Sequence, residues 1–220
     1  MSTPTTANSP LGVFDSGVGG LTVVRALRDL LPNESIVYLG DTARVPYGSK
    51  SPDTIRRFSM EDTQFLVSHG VKAVVVACNT ASAVALGALR RRYDVPILGV
   101  VRPGATAAAL ATRNRRVGVI ATQATVRSRA YFGAIKDENP FIEVYEHATP
   151  ALVPLVEAGR LDGPETIDAV RRSVAPLLGE TGANLDDGRG DADAVFPLPA
   201  GARIDTLLLG CTHYPLLVDV

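Results

Sequence analysis

Two short segments of the sequence mirror each other, VVVACNTA at 74–81 and LLLGCTHY at 207–214. Each is an apolar run ending in a cysteine, Cys78 or Cys211, and each cysteine is followed by small polar residues: Asn79 and Thr80 in one, Thr212 and His213 in the other. Backbone N–H groups and hydroxyls so placed can hold an anion. A lone cysteine is most often a small buried core residue. Two that share a strand-end position and polar followers read instead as a duplicated half-site. A thiol, with a reference pKa of about 8.5, can serve as acid or base once its surroundings tune it. Two thiols on opposite faces of one carbon can invert a stereocentre, one removing a proton and the other supplying one.

Other groups are candidates to assist. The run Asp15-Ser16-Gly17-Val18-Gly19-Gly20 follows an apolar strand and leads into a helix, where glycines let the backbone approach a ligand and the helix start favours a carboxylate. It lacks the third glycine of a dinucleotide fingerprint and the Lys-Ser/Thr of a phosphate loop. Asp15 reads either as a turn or cap residue or as a carboxylate that relays a proton beside Cys78. His213, two residues after Cys211, could do the same on the other side. The three lysines, Lys50, Lys72 and Lys136, are poorly placed for a pyridoxal Schiff base, so no cofactor is expected. Cys78, Cys211, His213 and Asp15 are also zinc-ligand types, which makes a metal hydrolase an alternative, but they lack the close ligand pairs of a zinc site.

Positioning these residues requires a scaffold of alternating strands and helices. Runs rich in β-branched residues at 11–15, 35–41, 72–78, 95–100, 116–121, 141–146 and 204–211 predict buried strands. Amphipathic spacing predicts helices at 20–31, 53–69, 80–93, 104–112, 123–136 and 164–179. The alternation implies an α/β fold with mostly parallel strands, in which ligands bind beyond the carboxyl ends of the strands. The Gly- and Asp-rich stretch 179–201 reads as a flexible insertion, and residues 1–10 as a disordered tail.

A hydrophobic content of 46% against 20% charged residues is that of a globular protein with a core. The formal net charge of −1 gives no field for nucleic acid. No apolar run reaches the roughly 18 to 20 residues that span a bilayer, and the N-terminus lacks signal-peptide character, so a cytoplasmic setting with reduced thiols is expected.

Four motifs together, FDSGVGGLTV (14–23), YLGDTARVPYG (38–48), VACNTA (76–81) and LGCTHYPLL (209–217), resemble the glutamate racemases of the aspartate/glutamate racemase superfamily, in order and at suitable spacing. The resemblance implies two similar α/β lobes with mostly parallel sheets flanked by helices and the active site in the crevice between them. Residues 11–97 with 207–220 would form the first lobe, and 98–206 the second. It implies cofactor-independent racemisation of L-glutamate to D-glutamate for peptidoglycan, with Cys78 and Cys211 as the acid/base pair and Asp15 and His213 assisting. Substrate contacts would fall on Asp15, Ser16, Tyr47, Gly48, Asn79, Thr80, Thr212 and His213, and Glu157 would line the site. Glu157 can equally be an exposed helix residue. The partner is then a small molecule, glutamate, with no nucleic acid or membrane, and a homodimer is the assembly the family commonly adopts. Relatives continue beyond the last motif, so the first lobe is expected to be incomplete at its C-terminus. Racemases of aspartate or hydantoin, and an inactive truncated binding protein, are the alternatives.

Overall fold

The computed structural model describes residues 6–178, 198–199 and 202–219. The insertion expected at 179–201 falls almost wholly outside the described residues. Of the expected tail, residues 1–5 also lie outside, while residues 6–10 are tied down. The Lys72 ammonium donates to the Ala7 carbonyl, and the Lys72 N–H donates to the Pro10 carbonyl. The chain end is held because it leads directly into the central strand of a sheet.

That sheet contains β1 (Leu11–Asp15), β2 (Ile36–Gly40), β3 (Ala73–Val76) and β4 (Ile97–Gly99), all parallel and in the order β2-β1-β3-β4. Around it lie α1 (Leu21–Leu30), α2 (Pro52–Ser68), α3 (Asn79–Val84) and α4 (Leu86–Arg92). Parallel strands buried on both faces read as near-continuous apolar runs, and Val13 and Phe14 of β1 are fully buried. Helix α2 starts where Ser51 accepts the Thr54 N–H and Pro52 supplies a first-turn residue that needs no donor. It ends where Gly70 takes a positive φ of 69°.

After α5 (Val101–Ala111), the second sheet contains β5 (Arg116–Ala121), β6 (Glu143–Ala148) and β7 (Thr206–Gly210), parallel and in the order β6-β5-β7. Helices α6 (Gln123–Ser128), α7 (Ala130–Glu138), α8 (Leu152–Glu157) and α9 (Pro164–Leu178) accompany it, and a 3₁₀ turn spans Tyr214–Leu217. No described helix is long and apolar enough to cross a membrane.

The structure corrects one assignment that bears on the site. The last strand was expected to return to the first lobe, but β7 pairs with β5 along Val117↔Thr206 to Ala121↔Gly210 and buries Leu208 in the second core. A run such as TLLLG carries the apolar signal of a buried strand and no signal for which sheet it joins. Helical predictions differ in detail. The segment 80–93 divides into α3 and α4 at Ala85, and 123–136 divides into α6 and α7 at Arg129, whose φ is 57°. Helix α5 begins at Val101, because Pro103 sits in its first turn, where a missing N–H breaks no bond.

Leu66 is fully buried in the core beneath the first sheet, where α2 packs on β1. Leu66→Ala is expected to lower unfolding free energy by about 2–5 kcal/mol through lost transfer energy plus the cavity left behind. Urea denaturation checks this, and a loss under about 1 kcal/mol would mean the core collapses around the gap.

Candidate active site

Segments that follow four strands converge on one small cavity. Ser16 follows β1, Cys78, Asn79 and Thr80 follow β3, Thr122 follows β5, and Cys211, Thr212 and His213 follow β7. Pro46, Tyr47 and Gly48 from the loop after β2, with Val153 of α8, complete the lining. The carboxyl ends of parallel strands are where α/β proteins place their ligands. Because β7 belongs to the second sheet, each sheet contributes one thiol to the cavity.

Asp15 ends β1 and is completely buried. Its carboxylate accepts the N–H groups of Gly17 (3.1 Å) and Gly20 (3.0 Å) through Oδ2, and the Thr212 hydroxyl (3.2 Å) through Oδ1. It therefore folds the glycine turn and ties that turn to the segment after β7. A Cβ on Gly20 would fall 2.3 Å from the Cβ of Asp15, so no larger residue fits there. Burial pushes the Asp15 carboxyl up, and the neighbouring His213 opposes that rise.

Cys78 precedes α3, where its Sγ accepts the Ala81 N–H at 3.5 Å and lies 3.7 Å from Ser16 Oγ. Burial first, and the charge of Asp15 second, push its thiol up to about 12, while the contacts with Ala81 and Ser16 pull the other way. Cys211 Sγ lies 3.6 Å from His213 Nδ1, and His213 Nε2 lies 2.5 Å from Glu157 Oε1. In the neutral ring, an Nε2 that donates to the carboxylate leaves Nδ1 as the acceptor facing the thiol. Glu157 also accepts the Val18 N–H at 3.1 Å, which anchors this relay to the glycine turn. Burial again raises the Cys211 thiol, and Asp15 and Cys78 add to the rise.

The remaining wall crosses between the lobes. Gly48 lies so close to Thr122 that a Cβ would meet the Thr122 side chain at 2.5 Å, and the Gly48 carbonyl accepts the Ala124 N–H at 3.0 Å. Hydroxyls of Thr80, Thr122 and Thr125 form a closed set at 2.8–3.3 Å. Asn79 Oδ1 accepts the Tyr131 hydroxyl. The free volume is about 10 Å³, which suffices for roughly one water. A small amino acid can be held only after these walls separate.

Nine of the residues expected at a site, namely Ser16, Tyr47, Gly48, Cys78, Asn79, Thr80, Cys211, Thr212 and His213, line this cavity. Asp15 and Glu157 do not: Asp15 braces the turn behind Ser16, and Glu157 stands behind His213. Tyr47 presents no free hydroxyl to the cavity, because Asp41 and Asp62 engage it. Sequence reading missed Pro46, Thr122 and Val153. Thr122 was legible in principle, since it follows β5 as Asn79 follows β3. Among the described residues no group of three or more His, Cys, Asp or Glu stands where a metal could be held, so the zinc alternative has no ligand set there.

Comparison with known proteins gives a consistent result. A model of the Asp/Glu/hydantoin racemase family matches residues 21–220. A glutamate racemase of Geobacter metallireducens is 49% identical over 96% of this chain and 70% of its own length. Among solved structures, a glutamate racemase isoform of Bacillus anthracis aligns with a TM-score of 0.84 at 39% identity, over 97% of this chain and 72% of that one. One from Francisella tularensis, solved with D-glutamate, aligns with a TM-score of 0.79 at 37% identity, over 96% and 72%.

The elevated thiol pKa has a direct consequence. With its thiol raised to about 12 by burial and by Asp15, Cys78 holds far less thiolate near neutral pH than an exposed cysteine does. In the folded, ligand-free protein both cysteines are expected to resist a disulfide reagent such as dithiobisnitrobenzoate, and both should react promptly in guanidinium. Prompt reaction of either thiol in the folded protein would show that the cavity stands open or that the thiols are not held protonated.

Proposed function

The chain belongs to the Asp/Glu/hydantoin racemase family, and from that premise we propose that it interconverts L- and D-glutamate with Cys78 and Cys211 as opposed acid and base. It is an amino-acid racemase. The observation that carries the two-thiol reading is that one cysteine from each sheet lines the same cavity. Facing groups are what inversion needs, since the proton must leave one face of the α-carbon and arrive on the other.

Both thiols begin protonated, so one must lose its proton before turnover. His213 is placed to take it from Cys211, because its Nδ1 faces Sγ while Glu157 on Nε2 stabilises the imidazolium that forms. On the other side, the Ala81 N–H and the Ser16 hydroxyl are placed to stabilise a Cys78 thiolate. The ammonium of a bound amino acid adds a positive charge near both sulfurs and offsets the Asp15 carboxylate that raises them. Ser16, Asn79, Thr80, Thr122 and Thr212 surround the cavity with neutral donors suited to carboxylates. These can hold the substrate's carboxylates and take up charge as the α-proton leaves.

The preference for glutamate over aspartate rests on the relatives named above, all of them glutamate racemases. D-glutamate made in this way would supply peptidoglycan synthesis. The cytoplasm suits the chemistry, because acid/base thiols work only when reduced.

The test is incubation with L-glutamate, and separately with L-aspartate, in deuterated water without added cofactor. Chiral chromatography should detect D-glutamate carrying α-deuterium, with little or no D-aspartate. Cys78→Ser and Cys211→Ser should each slow racemisation by at least about 10²-fold, the scale of a lost acid/base group. Undiminished racemisation by either variant would rule out the two-thiol scheme, and turnover of aspartate alone would reassign the substrate.

A further inference from the structure

The loop after β2 supplies Tyr47 and Gly48 to the cavity, and a buried polar cluster fixes it to α2. The Tyr47 hydroxyl lies 2.5 Å from Asp41 Oδ2 and 2.8 Å from Asp62 Oδ2. Arg44 joins the same cluster, with Nε 2.6 Å from Asp41 Oδ2, one terminal nitrogen 2.9 Å from Asp62 Oδ1 and the other on Glu61. Asp62 is 2% exposed, Asp41 8% and Tyr47 1%.

A phenol has one hydrogen, yet two carboxylate oxygens lie within hydrogen-bond distance of it. Burial and the two aspartates drive the Tyr47 pKa far upward, so the phenol keeps that hydrogen. It can donate to only one aspartate, and the other contact needs a hydrogen from the carboxyl side. Charge counting agrees, since the two buried aspartates share one guanidinium, that of Arg44, while Arg57 reaches only Glu61. Arg44 pairs with both aspartates, but more closely with Asp41, at 2.6 Å against 2.9 Å for Asp62, which makes Asp41 the acceptor for Tyr47. Asp62, the deeper of the two aspartates, is left to donate.

We propose that Asp62 is a positioning residue that carries a proton and donates it to the Tyr47 hydroxyl, locking the 41–48 loop against the cavity. Tyr47 then donates to Asp41, and each of the two short contacts at the phenol has its own hydrogen. The groups facing Asp62 are Asp41, Arg44 and Tyr47 on the loop and Glu61 on its own helix, with Arg57 reaching Glu61 at 4.0 Å. Burial, with the charges of Asp41 and Glu61, raises the Asp62 carboxyl from 3.8 to about 7, against the opposing pull of the Tyr47 hydroxyl and the Arg44 charge. An undocked loop would return Asp62 toward its ordinary range. Docking is therefore most favourable at low pH, weakens as pH rises toward about 7, and is level above that.

The choice of substrate for the kinetic test rests on the proposed glutamate racemisation, whereas the protonation of Asp62 does not. In the active enzyme, KM for glutamate should rise with pH between about 5 and 7, by at most about tenfold per pH unit for one proton, and then level off, with kcat little affected. Asp62→Asn supplies the same donor and acceptor without a charge, so it should fold and its KM should stay flat over that range. Asp62→Ala should raise KM at every pH. Infrared spectra near pH 6 should show a protonated-carboxyl stretch in the wild-type protein that is missing from D62N and fades from the wild type above about pH 7. Parallel KM profiles for wild type and D62N, identical carboxyl bands in the two, or failure of D62N to fold would each overturn the proposal. Absence of glutamate turnover in wild type would instead refute the functional reading and leave the infrared comparison to decide this one.

Discussion

A buried carboxylate must be met by donors, and at Asp15 that requirement organises the whole cavity. Two of its donors are N–H groups of the glycine turn, and the third is the Thr212 hydroxyl from the end of the second sheet. One side chain thus shapes the turn after β1 and ties it to the segment after β7. Its electrostatic effect runs against thiolate formation, since its charge raises both cysteines. Together with burial, that charge favours the protonated thiols in the resting site.

The same economy of space governs access. With about 10 Å³ free between walls from both sheets, the cavity has room for roughly one water. So little room for water strengthens every electrostatic interaction inside. It also means that the closed form cannot be the form that admits an amino acid, so a conformational step precedes chemistry. The contacts that would have to part include the close approach of Gly48 to Thr122 and the hydroxyl set of Thr80, Thr122 and Thr125.

The cluster around Tyr47 stabilises one of those walls from behind. Its aromatic ring also packs beside Phe58 of α2, with centroids 5.6 Å apart, and the Arg44 guanidinium lies 4.2 Å from the centre of the Phe58 ring. Apolar contact and the polar cluster therefore hold the same few loop residues. A loop so fixed presents Gly48, which has no side chain, to the cavity.

Much of this was legible in the residues themselves. The apolar runs marked all seven described strands, although the boundaries of β6 were read too early, and the paired cysteines with their polar followers marked the cavity. Periodicity and strand-end position are local properties, and a chain displays them without being folded. Glu157 was ambiguous for the opposite reason, because its role depends on His213, a residue far away in sequence and 2.5 Å away in space. Nothing in the motif around Tyr47 showed that its hydroxyl turns away from the cavity, since that follows from Asp62 on α2.

By itself, then, the sequence determined the α/β alternation, the two thiols and the small polar residues beside them. Only the tertiary structure decided that β7 joins the second sheet, so that the thiols come from opposite lobes and face one cavity. Strand identity is written in a few consecutive residues, whereas the neighbouring strand depends on residues far away in sequence, here β5 and the core that buries Leu208.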